Sequence, residues 1–148
     1  MKTQFTIGVF GIIFNEQNQV LLCHRQDYDL WNLPGGGMEA NESPIECLKR
    51  ELKEELRVDI EVLKLVGVYT KPEQTEIVFS FVCQLLGQEI ILNNEADKYA
   101  YFAIDQLPPN VSPKQVGRIK DALENSGEVI FKTQMGKSSI ELIKEGKL

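Results

Sequence analysis

Apolar residues along this chain fall into runs of two kinds. From Thr3 to Phe14 the residues Phe, Ile, Val and Thr dominate, Asn15 to Gln19 interrupts them, and Val20 to Cys23 resumes the run. Near-continuous β-branched and aromatic residues broken once by polar turn formers predict a hairpin of two buried strands. Glu61 to Tyr69, Glu76 to Leu86 and Tyr99 to Ile104 alternate or run apolar with the same residue types and predict three more strands. Val129 to Phe131 and Ile140 to Ile143 predict short terminal strands. The second kind of run has a helical period. Ser43-Pro44-Ile45-Glu46 supplies a capping hydroxyl, a proline at the first helical position and a glutamate three residues past the cap. A helix from Pro44 to Leu56 follows, with Ile45, Leu48, Leu52 and Leu56 on one narrow arc as its core stripe. Ser112 to Asn125, entered by Ser112-Pro113 and left near Gly127, predicts a second helix. Tyr28 to Asn41, with Pro34 and three consecutive glycines at 35 to 37, reads as a loop. Strands before, between and after two helices predict a mixed sheet with helices packed on it, in an α/β or α+β arrangement.

Composition narrows the picture. The length of 148 residues suits one domain spanning residues 1–148, large enough to build a core without covalent staples. Three cysteines, Cys23, Cys47 and Cys83, are odd in number and lack metal-binding spacing, which fits a reducing cytoplasmic setting. Sixteen basic against 22 acidic residues leave a net charge of -6, which repels nucleic acid and anionic membranes as standing partners. The apolar stretch Ile7 to Phe14 is too short to span a bilayer. Only Lys2 precedes it as a positive end, and no small-residue cleavage site follows, so a buried strand is expected rather than a signal peptide.

Chemistry concentrates on the first helix. Glu51, Glu54 and Glu55 stand at spacings of three and four residues, which bring side chains together on one face. Like charges so placed, near the negative end of the helix dipole, call for a cation. A hard divalent metal would serve, with the glycine loop lending a carbonyl oxygen. A solvated acidic face paired with Lys49, Arg50 and Lys53 has the same pattern, and the helix alone does not choose between them.

The ordered pattern around the helix does choose. Gly36, then Glu42, then Arg50-Glu51-Leu52-Lys53-Glu54-Glu55 and the aliphatic Val58 resemble the Nudix box of the Nudix hydrolase (MutT-like) family, over residues 36–58. Agreement by chance is on the order of 10⁻⁶. Trp31-Asn32-Leu33-Pro34-Gly35-Gly36 and Glu39 are similar to the family's approach to the box. One position departs: Arg57 stands where the family usually has Gly, at a helix end that favours a left-handed dihedral.

The resemblance implies an α/β/α sandwich around a mixed sheet and a pyrophosphohydrolase cleaving a nucleoside diphosphate linked to another group, by water attack on phosphorus. It implies Mg²⁺ or Mn²⁺ held by Glu51, Glu54 and Glu55 with the Gly35 carbonyl, and Glu54 as the residue that deprotonates the water. Arg50 is expected to hold Glu51 through a bidentate pair, Glu42 to anchor the glycine loop, and Glu95 to act as a further ligand or base. Arg25, Gly36 and Gly37 are expected to meet the substrate, while His24 is expected to be a structural residue. The expected partner is a small nucleotide, and a homodimer is common in the family. Pro72, about fourteen residues past the box, leans toward ADP-ribose as substrate. A non-catalytic nucleotide sensor with the same fold is the alternative. Gly136-Lys137-Ser138 is similar to the end of a phosphate-binding P-loop, but Phe131 occupies the place of its first glycine.

Overall fold

A computed structural model describes residues 2–124 and 127–148. Among the described residues, eight strands and three α-helices follow in the order β1 (Thr6–Ile13), β2 (Val20–Arg25), β3 (Trp31–Asn32), β4 (Gly35–Gly37), α1 (Pro44–Leu56), β5 (Ile60–Lys71), β6 (Glu76–Leu85), β7 (Ala96–Phe102), α2 (Pro113–Glu124), β8 (Ile130–Thr133) and α3 (Ser139–Lys144). The strands form a mixed five-stranded sheet, β4-β1-β6-β5-β8, and a three-stranded antiparallel sheet, β3-β2-β7. In the larger sheet β1 runs parallel to β6, and β5 parallel to β8. One core cluster packs the α1 residues Leu48, Leu52 and Leu56 against Val9, Ile13, Phe81 and Cys83 of the larger sheet. A second packs Ile119 and Ala122 of α2 against Ile12, Val66, Val20 and Leu22. No helix among the described residues is long and apolar enough to cross a membrane.

Several expectations change. The predicted hairpin exists as a turn but not as a ladder. Asn15 accepts the Gln17 and Gln19 amides through its side chain, and β1 meets β2 only at the Phe14–Val20 bridge. Both edges of β1 are taken by β4 and β6, so β2 pairs in the other sheet. Strands apolar on both faces do not name their neighbours. The predicted loop contains β3 and β4. Gly35, at φ 147°, pairs with Phe10, and a Cβ there would lie 2.1 Å from the Val9 carbonyl, an approach open only to glycine. Ile140 to Ile143 is helical rather than extended, because Ser138 and Glu141 form a reciprocal capping box. The predicted second helix is described to Glu124; its expected end at Asn125 lies outside the described residues.

The core stripe of α1 also shifts. Leu48, Leu52 and Leu56 are fully buried, but Ile45 is 42% exposed and Cys47 is buried in its stead. At about 100° per residue, the buried arc running from Cys47 to Leu56 is centred near Glu55 and Leu48. The helix therefore turns Glu51 and Glu55 inward and leaves Glu54 just outside the arc, while Ile45 lies within the arc by angle but in the exposed first turn.

Candidate active site

The glycine strand β4 and the helix α1 build the site together. Gly36 has no side chain where a Cβ would fall 2.5 Å from the Glu51 carboxyl carbon. Its absence lets Glu51 stand against β4. The Gly35 backbone hydrogen-bonds the Glu55 carboxylate. Glu55, Gly35, Gly36 and Glu95 line a cleft of about 730 Å³ between the two sheets. Its other walls include Arg25 at the end of β2 and Asp27 just beyond it, Lys71 and Glu76 at the β5–β6 end, and Ser138 to Ile140 at the start of α3.

Charge is unevenly held within this cluster. Burial, Glu51 and Glu95 push the Glu55 carboxyl up to about 8, so that it carries a proton at neutral pH. Burial also raises Glu51, against the pull of Arg50. Outside the cleft, Arg50 gathers the remaining acids. Its guanidinium makes a bidentate pair with Glu42, Nε to Oε2 at 3.0 Å and Nη2 to Oε1 at 2.8 Å. Glu51 and Glu54 each accept from Nη1 at 3.2 Å, and the Gly37 carbonyl accepts from Nη2 at 3.1 Å. The bidentate pair expected with Glu51 thus goes to Glu42. Successive residues on a helix point about 100° apart, so the planar fork cannot face its neighbour, whereas Glu42 comes back beside it from before the cap. Arg50 and the Glu39 amide hold the Glu42 carboxyl down at about 2.

The structure distributes the other candidates as follows. Gly37 is outside the cleft lining and serves Arg50 through its carbonyl. Arg25 lines the cleft but is engaged by Asp27 at 2.7 and 2.6 Å and lies over the Tyr28 ring. His24 is buried between two aspartates, Nδ1 to Asp97 at 2.9 Å and Nε2 to Asp29 at 2.8 Å, with its edge on Trp31. Arg57, at the end of α1, adopts the left-handed conformation with φ 56°. Lys71, Glu76, Gln115, Ser139 and Ile140 carry no local motif. Tertiary packing alone brings them to the cleft.

Among the described residues, no three His, Cys, Asp or Glu side chains form a metal-binding cluster. Glu51 hydrogen-bonds Glu55, while Glu54 reaches out to Arg50 with its side chain 56% exposed. The donors nonetheless suit a hard divalent cation. They are all oxygens, the space beside Gly36 keeps Glu51 pressed close, and the mutual repulsion of Glu51, Glu55 and Glu95 is what a cation would relieve.

The family model for the NUDIX domain matches residues 4–122. The chain belongs to the Nudix family. It is 32% identical to a putative 8-oxo-dGTP diphosphatase of Bacillus subtilis, over 84% of this chain and 85% of that protein. Its fold is similar to an ADP-ribose pyrophosphatase from Streptococcus suis, with a TM-score of 0.70 and 26% identity over 87% of this chain and 98% of that one. It is also similar to a Nudix hydrolase from Nitrosomonas europaea, with a TM-score of 0.79 and 21% identity over 92% of this chain and 82% of that one. The expected mixed α/β architecture is thus the observed one, and as a Nudix protein the chain is a hydrolase of phosphoric anhydrides.

Proposed function

We propose that this Nudix hydrolase is a divalent-metal-dependent pyrophosphohydrolase of nucleoside diphosphates linked to a further group, either a sugar as in ADP-ribose or a phosphate as in a nucleoside triphosphate. The observation that carries this reading is the meeting of Glu55 and Glu95 on the wall of a cleft large enough for such a molecule, with Glu51 beside Glu55. The activities for which the relatives from Bacillus subtilis and Streptococcus suis are named, a diphosphatase and a pyrophosphatase, support it.

In this reading Glu51, Glu54, Glu55 and the Gly35 carbonyl would hold Mg²⁺ or Mn²⁺. A metal held there would supply positive charge to offset the negative charge of the diphosphate. Glu95 is exposed on the cleft wall and takes the proton of the attacking water, a duty better placed there than on Glu54, which lies outside the cleft lining. Arg50 is a positioning residue: it fixes Glu51 and ties the glycine strand to α1 through Gly37. Arg25 and Gly36 border the substrate.

Purified protein with Mg²⁺ is expected to release product from at least one compound of this class, and Glu55→Gln and Glu95→Gln each to lose at least about 10²-fold in kcat. Full activity in both variants, or nucleotide binding without any product under saturating metal, would remove the proposal; the second result would identify a sensor.

A further inference from the structure

Glu95 stands at the apex of a short span pinned at both ends. On its N-terminal side the Asn93 amide donates to the Glu55 backbone carbonyl at 3.1 Å, and Asn93 Oδ1 accepts the Glu95 amide at 2.9 Å. On its C-terminal side the chain enters β7, which pairs antiparallel with β2. Pairing is regular from Val20 with Phe102 through His24 with Lys98, but the next pair is Arg25 with Ala96. Asp97 is therefore the extra residue of a β-bulge and has no partner on β2. Beyond the bulge the Gln26 amide donates to the Glu95 carbonyl at 3.2 Å.

Regular pairing competes with such a bulge. Sliding β7 by one residue would set Asp97 opposite Arg25, carry Glu95 about 3.3 Å along the strand and turn its side chain to the other face. The ladder does not oppose this slip, because the backbone groups it joins are common to every residue. A side-chain contact does. Asp97 turns to His24, the last regularly paired residue of β2, with Oδ1 2.9 Å from Nδ1. In the slipped register Asp97 would share a face with Arg25 instead of His24, and the contact would be lost. The imidazole is a fixed anchor for it. His24 is buried, its ring meets Trp31 edge-on at 5.1 Å between centroids, and its Nε2 lies 2.8 Å from Asp29. Asp29 is held in turn by Asn110 Nδ2 at 2.9 Å.

We propose that His24 and Asp97 are positioning residues for the hydrolysis: together they lock the bulge at the root of Glu95 and so aim its carboxylate into the cleft. This deepens the pyrophosphohydrolase reading and rests on it, through the role given there to Glu95. The histidine that the sequence marks as structural thus acts on the chemistry, by way of Asp97 and the register of β7.

Asp97 is the residue to substitute, because its side chain is 46% exposed and its removal leaves no buried cavity. On a compound that the parent protein hydrolyses, Asp97→Ala is expected to lower kcat about tenfold with KM within about twofold. Asp97→Asn keeps an acceptor oxygen for His24 and is expected to stay within about threefold of the parent. In the Glu95→Gln background Asp97→Ala should change kcat by less than about twofold, since no carboxylate is left to aim. Amide hydrogen exchange reads the lock without turnover: the Gln26 amide should exchange at least about tenfold faster in Asp97→Ala, with Val20 to Cys23 at the parent's rates. An unchanged kcat in Asp97→Ala, a full tenfold loss in the Glu95→Gln background, Asp97→Asn as slow as Asp97→Ala, or parental exchange at Gln26 overturns the lock. If Glu95→Gln by itself is strongly impaired, each of those results leaves the pyrophosphohydrolase reading standing. Glu95→Gln at the parent's rate removes Glu95 from that reading and the lock with it.

Discussion

Replacing Gly36 by alanine tests whether the glycine strand sets the position of a carboxylate. A Cβ at residue 36 would lie 2.5 Å from Glu51 Cδ and Oε1 and 2.6 Å from Oε2. Ordinary contact begins near about 3.5 Å, so the carboxylate must retreat by about 1 Å. It has little freedom to do so: its side chain is 14% exposed, bonded to Arg50 on one side and to Glu55 on the other. A misplacement of about 1 Å in a reacting assembly costs on the order of 10²-fold in rate, equivalent to about 2.7 kcal/mol of barrier. The added methyl should also cost about 1 to 3 kcal/mol of stability, which urea unfolding measures independently. Gly37→Ala is the matched control, because nothing stands within 4 Å of its Cβ and the carbonyl that holds Arg50 is unchanged. The assay is steady-state kcat/KM on folded protein, with metal affinity measured by calorimetry. If Gly36→Ala and Gly37→Ala both stay within about threefold of the parent, the glycine does not position Glu51 and the reasoning fails.

Three further outcomes are expected. Arg57→Gly relieves a left-handed arginine at φ 56°, a strain of about 1 to 2 kcal/mol partly offset by about 0.4 to 1 kcal/mol of glycine chain entropy; calorimetry should show Tm rising by about 2 °C, and a fall would contradict this. Glu42 is held at about 2 against an ordinary 4.5, so its contribution to stability is present above about 4.5 and is lost as pH falls toward 2. Glu42→Gln should accordingly flatten that acid limb in urea titrations, and superimposable limbs would count against the Arg50 pair as its source. Finally, Mg²⁺ binding at pH 7 should release close to one proton, because Glu55 near 8 must ionise to act as a ligand. Calorimetric heats that do not change between buffers of different ionisation enthalpy would exclude Glu55 from the metal site.

Local chemistry made α1 legible before any fold was known. Ser43, Pro44 and Glu46 are a capping device complete within four residues, and Leu48, Leu52 and Leu56 repeat with the helical period. The same capping device at Ser138 and Glu141 was equally present in the chain but lay beside an apolar triplet that reads as a strand. Which strands pair was not legible, since β1 and β2 are apolar on both faces and hydrogen-bond their neighbours through backbone groups common to all residues. The identity of the carboxylates was visible, yet their division of labour was not. Helical spacing puts Glu51, Glu54 and Glu55 on neighbouring arcs, but only the packing of α1 against β4 turns Glu51 and Glu55 in and leaves Glu54 to Arg50.

The chain by itself determined the family, the clustered acids and the helix that carries them, because these depend on residues within one or two turns of one another. Tertiary structure alone decided the shape of the cleft, the upward push on the Glu55 carboxyl and the wall contributed by residues 138–140. Those depend on desolvation and on contacts between segments more than sixty positions apart, as where Gln74 meets Gly136, and no local pattern of side chains encodes such distances.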